Sequence, residues 1–133
     1  MIKRAVENFE KNRAGLRAVF AAKHPDNYKD LVRSTLDAVA DAEDTWEPEA
    51  LDIDTNRLEQ IDHGDYQGTL VFVVPQRGYQ PSQYWAVKVS YGSCSGCDTL
   101  QAISDYTDEP PTEDQLDKYM TLALHVVQGL KEI

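Results

Sequence analysis

The sequence predicts a single α+β domain with helices at both ends and a small antiparallel sheet in the middle. Apolar residues recur at helical spacing near both termini, whereas the middle of the chain contains an apolar run of strand length, Leu70-Val71-Phe72-Val73-Val74. A chain of 133 residues, 41% hydrophobic and 27% charged, is long enough to bury one core. We therefore expect residues 1–133 to form an N-terminal helical hairpin, a sheet of two to four strands and two C-terminal helices.

The helical hairpin is predicted from two amphipathic faces separated by a break. The apolar positions of the first face are Ile2, Val6, Phe9, Leu16, Val19 and Phe20. His24-Pro25-Asp26 ends this helix, Gly15 weakens it, and Asp26 is expected to cap the next one. The second face consists of Tyr28, Leu31, Val32, Leu36 and Val39. Because the connection is short, the two helices are expected to pack against each other.

The sheet is predicted from two convincing strands and one ambiguous segment. Residues 69–74 are apolar on both faces, which favours a central strand. Residues 84–91 alternate, with Trp85 and Val87 on one face, and most simply form an antiparallel hairpin with the preceding strand. Leu51 and Ile53 alternate with aspartates, which suggests a short edge strand.

Two helices are predicted after the sheet. Ser95 is expected to cap the first, which continues through Leu100, Ala102, Ile103 and Tyr106. Thr112 and Gln115 have the spacing of a capping box, so a final helix should begin there. We expect it to continue through Lys131 and to bury Leu116, Met120, Ala123, Val127 and Leu130.

The charge distribution is uneven. The net charge is −10, yet residues 1–24 carry a net charge of +4, and residues 37–65 contain eleven acids and one base. A negative field repels nucleic acids and lipid head groups, so we expect neither as a direct partner. It favours a basic protein partner or a cation, and it also serves solubility.

No apolar run approaches the length that spans a bilayer, and the first residues do not form an apolar signal core. With only two cysteines, the chain is expected in the reducing cytoplasm, with both thiols free. Oligomeric state is left open.

The two cysteines lie three residues apart in the segment Tyr91-Gly92-Ser93-Cys94-Ser95-Gly96-Cys97-Asp98. Two thiols at this spacing fit a metal site, a small disulfide loop or redox chemistry, and they also fit small core residues at a turn. The predicted helix would place Cys97 in its first turn, where backbone N–H groups favour a thiolate, although Asp98 opposes this. Gly92 and Gly96 allow a tight turn, and Ser93 and Ser95 add hydroxyls.

Two enzyme classes are suggested by this spacing. A thioredoxin-like enzyme places such a motif between a strand and a helix, but it needs further strands afterwards, and here everything after Cys97 is predicted helical. A zinc deaminase uses His-x-Glu followed by Pro-Cys-x-x-Cys. This chain has His63-Gly64-Asp65 in the right order, but Asp65 is shorter than glutamate, Ser93 replaces the proline and no strand is predicted after the cysteines.

A structural zinc site is a further possibility. Cys94, Cys97 and His63 would supply three ligands, and the fourth would come from one of His24, His125 or Asp98. Two cysteines three apart are only half of such a site, and each histidine also fits an ordinary surface position. Zinc is the metal that this ligand set would take.

The segment Gly64-Asp65-Tyr66-Gln67-Gly68, together with the eight-residue cysteine segment, resembles a family of uncharacterised proteins found in bacteriophages and bacteria. The resemblance covers about residues 62–104. The family has no assigned activity, so the resemblance implies a phage or mobile-element setting and host cytoplasm more than a reaction. It also implies that Asp65, Tyr66 and Gln67 lie near Cys94 and Cys97, forming one site from two segments.

Three functions are consistent with the sequence. The first is an interaction protein whose acidic surface binds a basic host protein, for example at a nucleic-acid site. The second is a metal-binding or catalytic site built on Cys94, Cys97, Asp65 and His63, and the third is a passive assembly subunit. The sequence favours the first and leaves open whether the protein is an enzyme.

Overall fold

The computed structural model of the protein describes residues 2–25, 27–41, 50–62, 69–78, 81, 83–90 and 109–132. In these ranges it contains four α-helices and a four-stranded antiparallel sheet, which confirms the α+β prediction. The helices are α1 (Ile2–Lys11), α2 (Arg13–Ala22), α3 (Tyr28–Val39) and α4 (Glu113–Gly129). The strands are β1 (Glu59–Asp62), β2 (Thr69–Pro75), β3 (Tyr84–Ser90) and β4 (Lys131–Glu132), with a 3-10 turn at Thr55–Arg57.

The predicted first helix is divided in two, α1 and α2, at Asn12. Asn12 has φ −105° and ψ 13°, a bridge conformation that interrupts the helix. Its side-chain amide donates to the carbonyl of Ala38 in α3 at 2.7 Å, which fixes the break against the neighbouring helix. Leu16 and Phe20 are buried as predicted, but Val19 is 52% exposed, so its place on the apolar face was wrong.

Helix α3 runs antiparallel to α1 and α2, as the hairpin prediction required. The Asn8 side chain donates to the carbonyl of Val39 at 2.8 Å, which joins the second half of α1 to the end of α3. The N-cap is Asn27, whose side chain accepts from the Asp30 N–H at 2.9 Å. The cap is therefore not Asp26, which lies outside the described residues. All five predicted face residues of α3 are buried.

The strands lie in the order β1-β2-β3-β4, and each neighbouring pair is antiparallel. Strand β2 is therefore central, as predicted. One face of β2 and β3 is buried against the helices, through Phe72, Val74, Trp85 and Val87. The predicted edge strand at 51–53 is only an isolated bridge from Ile53 to Gln76, and β1 takes the edge instead.

Helix α4 begins at the predicted capping box, in which Thr112 and Gln115 each bond the other's backbone. It ends at Gly129, not at Lys131, because Leu130 is extended (φ −70°, ψ 130°) and its side chain is buried. Lys131 and Glu132 then pair with β3. The expectation that no strand follows the cysteines was therefore wrong. The other predicted C-terminal helix lies outside the described residues.

Candidate functional site

The two motif segments leave the sheet at the same end. Strand β1 ends at Asp62, β2 begins at Thr69 and β3 ends at Ser90. Thr69 pairs with Ser90, and Asp62 pairs with the residue that follows Thr69. Because neighbouring strands are ~4.8 Å apart, residues 63–68 and the segment after Ser90 start within about 10 Å of each other.

The predicted site residues themselves lie outside the described residues. They are His63, Asp65, Tyr66, Gln67, Tyr91, Ser93, Cys94, Ser95, Cys97 and Asp98. Their contact across the two segments stays a prediction. In the part of the chain that the structure describes, no cluster of three or more His, Cys, Asp or Glu side chains has the arrangement of a metal site.

His24 is occupied by structural hydrogen bonds. Its Nε2 lies 2.7 Å from the carbonyl oxygen of Glu109, which can only accept, so Nε2 donates. In the neutral ring, Nδ1 then accepts from the Tyr119 hydroxyl at 2.6 Å. Both ring nitrogens of His24 therefore have partners within the domain, and its place among the possible fourth zinc ligands stays a prediction. His125, by contrast, is exposed on α4.

Tyr119 is the buried member of this pair. Its side chain is fully buried and its ring packs against Phe20 with centroids 5.6 Å apart. Burial raises the pKa of Tyr119 to about 12, so the phenol keeps its proton and donates to His24. The pair joins the end of α2 to α4. The bond from His24 to Glu109 also fixes the chain four residues before α4 begins.

Contacts within the fold account for several of the acids between residues 37 and 62. The carboxylate of Asp37 accepts from the Thr55 hydroxyl. Asp52 pairs with Arg77 at 3.1 Å, and Asp54 pairs with Arg57 at 2.7 Å while capping the 3-10 turn. These side chains are therefore occupied by contacts within the domain.

Asp41 has the most complete set of partners among these acids. Arg4 donates to both of its carboxylate oxygens, at 2.7 and 2.9 Å, and Asn8 donates at 3.2 Å. The Leu51 N–H donates at 2.6 Å, and the Asp41 N–H donates to the Leu51 carbonyl at 2.8 Å. Burial acts to raise the pKa of Asp41, but these hydrogen bonds and the Arg4 charge outweigh it and hold the pKa below its usual value.

The Asp41–Leu51 contacts also bring together the two ends of the intervening chain. We call residues 42–49 the acidic segment; it contains Glu43, Asp44, Glu47 and Glu49 and lies outside the described residues. Asp41 and Leu51, which lie on either side of residues 42–50, are thus fixed to each other by a backbone bond and a side-chain bond. Asp41 belongs to this closure rather than to a free acidic surface.

The acidic segment is more acidic than the rest of the chain. It contains four acids and no Lys or Arg, so it supplies −4 of the net charge of −10. Within the described ranges, by contrast, many acids form ion pairs, including those with Arg4, Arg17, Arg57 and Arg77.

An apolar cleft of about 170 Å³ lies between α3, β3 and α4 and is lined by Tyr28, Leu31, Val89 and Leu122, among others. This volume is below the ~300 Å³ at which pockets for drug-sized ligands begin. The cleft therefore offers no room for a substrate of that size.

Comparison with known proteins finds no matching family, and no curated protein or solved structure shows significant similarity to the chain. None of the described helices combines the length and apolar character needed to cross a membrane.

The sequence interpretation missed two junctions, those of Asp41 and of His24 with Tyr119. The partners are separated by 37 and 95 positions, so spacing alone gave no signal. A weak local signal existed for Tyr119, since it lies one position from Met120 on the predicted apolar face of the last helix.

Proposed function

We propose that the protein acts by binding a basic protein partner through its acidic segment, and that this partner is a nucleic-acid-binding protein of a bacterial host. The observation that carries the proposal is the concentration of charge: four acids and no Lys or Arg fall within the eight residues of the acidic segment, between the bonded residues Asp41 and Leu51. The resemblance to phage proteins supports the setting, with the host cytoplasm as its place.

Contacts within the fold explain why an acid stands at Asp41, but they give no such reason for the four acids that follow it. They come after the C-terminus of α3, where the helix dipole disfavours negative charge. A surface of this kind attracts Lys and Arg side chains that would otherwise contact phosphates. It would therefore compete with nucleic acid for the same site on the partner.

The test is a variant that neutralises only the acidic segment: Glu43→Gln, Asp44→Asn, Glu47→Gln and Glu49→Gln. Its matched control carries Glu7→Gln, Glu10→Gln, Asp114→Asn and Glu132→Gln. These substitutions remove the same amount of charge at exposed positions outside the acidic segment. The probe is a fluorescent twenty-residue Lys/Arg peptide, titrated at several salt concentrations.

We expect the wild type and the control to bind the peptide with similar, strongly salt-dependent affinity. The acidic-segment variant should lose about tenfold or more, mainly in association rate. Equal losses in both variants would show that binding follows net charge alone and would refute the proposal.

A second candidate is a metal or thiol site formed by residues 63–68 and the cysteine segment. The specific observation in its favour is that Asp62, Thr69 and Ser90 anchor both segments at one end of the sheet. Metal analysis of the protein purified without chelators tests it, with Cys94→Ser/Cys97→Ser as the matched variant. One zinc per chain that is lost in the variant supports a metal site, whereas its absence together with two unreactive thiols contradicts both forms.

A further inference from the structure

Strand β3 has one backbone edge that its neighbour covers only in part. Strand β2 pairs with β3 along its whole length, whereas β4 pairs only with Trp85 and Ala86. On the β4 side, the part of the chain that the structure describes therefore places no strand beside the last residues of β3. We call residues 88–90 the open edge. The N–H and C=O groups of such an edge are a template for another extended chain.

The hydrogen bonds of the hairpin show which residues of the open edge point outward. The Gln76 N–H donates to the carbonyl of Gln83, the residue opposite it in the register of β2 and β3, at 2.9 Å. In an antiparallel pair such bonded positions recur at every second residue. Odd-numbered residues of β3 therefore bond β2, and even-numbered residues direct both N–H and C=O toward β4. In the open edge these are Lys88 and Ser90.

The apolar cleft between α3, β3 and α4 adjoins the open edge. Lys88 and Val89 line it from β3, and Leu122 and Val126 line it from α4. Val89 and Leu122 are only half-buried. The volume of about 170 Å³ is close to the ~150 Å³ of a cavity that accepts a benzene-sized group. The cleft therefore has room for one leucine or phenylalanine side chain.

Charge decides which extended chain fits. Lys88 is exposed, and because Val87 is buried against the helices, alternation places the Lys88 side chain on the opposite face of the sheet. Edge-to-edge pairing with a second copy about a two-fold axis would bring the partner's Lys88 close to it, and like charges on paired strands are destabilising. An acid opposite Lys88 is favourable instead. The described residues that line the cleft include the exposed His125 and no acid.

We propose that the open edge and the cleft bind an extended peptide segment of another protein by antiparallel strand addition. The residue opposite Lys88 is acidic and exchanges both backbone bonds with it. Its neighbours in the peptide point to the other face of the sheet, where one apolar side chain fills the cleft. The ligand is thus an acid flanked by leucine or phenylalanine. This site is separate from the acidic segment, which takes a basic partner.

The probe is a fluorescent peptide, acetyl-Ser-Thr-Leu-Glu-Leu-Thr-Lys-amide, which has no net charge. Methylation of the glutamate nitrogen removes the donor that bonds Lys88, whereas methylation of the first leucine nitrogen changes a group that points away from β3. Lys88→Pro removes the outward N–H of the protein at an edge position where proline is tolerated. Lys88→Ala keeps this N–H and is the matched control.

Hydrogen exchange followed by nuclear magnetic resonance measures the open edge without any substitution. In the free protein, the Lys88 amide should exchange faster than the amides of Val87 and Val89, which bond β2. Saturation with the probe should slow its exchange about tenfold or more. A Lys88 amide that is already protected in the free protein overturns the proposal, because the chain itself or a second copy then covers the edge.

Fluorescence titration measures affinity, with circular dichroism as a check of folding. We expect Lys88→Pro and the N-methyl glutamate each to weaken binding about fivefold or more, and the N-methyl leucine to leave it unchanged. Lys88→Ala should bind glutamate and glutamine probes equally. The variant neutralised in the acidic segment should bind the probe like the wild type. A probe that does not bind at millimolar concentration, or equal effects of the two methyl groups, overturns the proposal.

Discussion

Two arginines, Arg4 and Arg17, tie the N-terminal helices to distant parts of the chain, and their ion pairs differ in their surroundings. Arg4 and Asp41 are 19% and 11% exposed, and the carboxylate has two further donors. Arg17 contacts Glu113 and Asp117 at 2.6 and 2.8 Å, but these acids are 86% and 70% exposed. Water replaces the second kind of pair at little cost, whereas loss of the first leaves several donors unsatisfied. Short distance alone therefore does not identify a structural ion pair.

The largest effect is expected for Asp41→Ala. The substitution leaves the Arg4 guanidinium, the Asn8 amide and the Leu51 N–H without their acceptor, so the free energy of unfolding should fall by about 3 kcal/mol. Urea denaturation followed by circular dichroism measures it. Asp114→Ala, at an exposed site, is the control. A loss no greater than that of the control would show that the Arg4–Asp41 pair stabilises the fold no more than an exposed ion pair does.

Low pH should weaken the same contacts of the Asp41 carboxylate. Because the pKa of Asp41 is lowered on folding, the proton binds the unfolded chain more tightly. This contribution to stability is therefore fully present above the ordinary aspartate pKa of about 3.9, and it is lost as pH falls through the lower folded value. Denaturation curves between pH 7 and pH 2 should show a smaller acid loss in Asp41→Asn than in the wild type. If the free energy of unfolding falls equally with pH in both proteins, the Asp41 carboxylate does not contribute to acid sensitivity as expected.

The His24–Tyr119 pair should show an intermediate effect. Tyr119→Phe removes one hydrogen bond from a fully buried ring while keeping its packing, so we expect a loss of about 1 kcal/mol. Because the Tyr119 pKa is raised to about 12, its contribution is present below about pH 10 and is lost as pH rises through 12. Ultraviolet titration should show the late ionisation of Tyr119, and the variant should lack it.

The smallest effect is expected for Arg17→Gln. Its partners remain solvated after the change, so the midpoint of thermal unfolding should stay within error of the wild type, at low and at high salt. A drop as large as that of Tyr119→Phe would show that exposed pairs contribute here more than their solvation suggests.

Local patterns predicted much of the fold, and long-range partners decided the rest. The face of α3, the central position of β2 and the capping box at Thr112 depend on neighbouring residues, so the sequence displayed them directly. The break at Asn12 depends on Ala38, and β4 depends on β3. For the candidate site, the predicted pairing of β2 with β3 is confirmed, whereas the contact between the two motif segments, which only the resemblance implied, stays a prediction.

The bonds between Asp41 and Leu51 have an evolutionary consequence. They use only the carboxylate of Asp41 and backbone atoms of Asp41 and Leu51, so this closure itself places no requirement on the residues between them. Doubling the length of such a stretch costs only about 0.6 kcal/mol of loop-closure entropy. Substitutions, insertions and deletions in that stretch are therefore compatible with the closure, and selection can act on it without breaking these bonds.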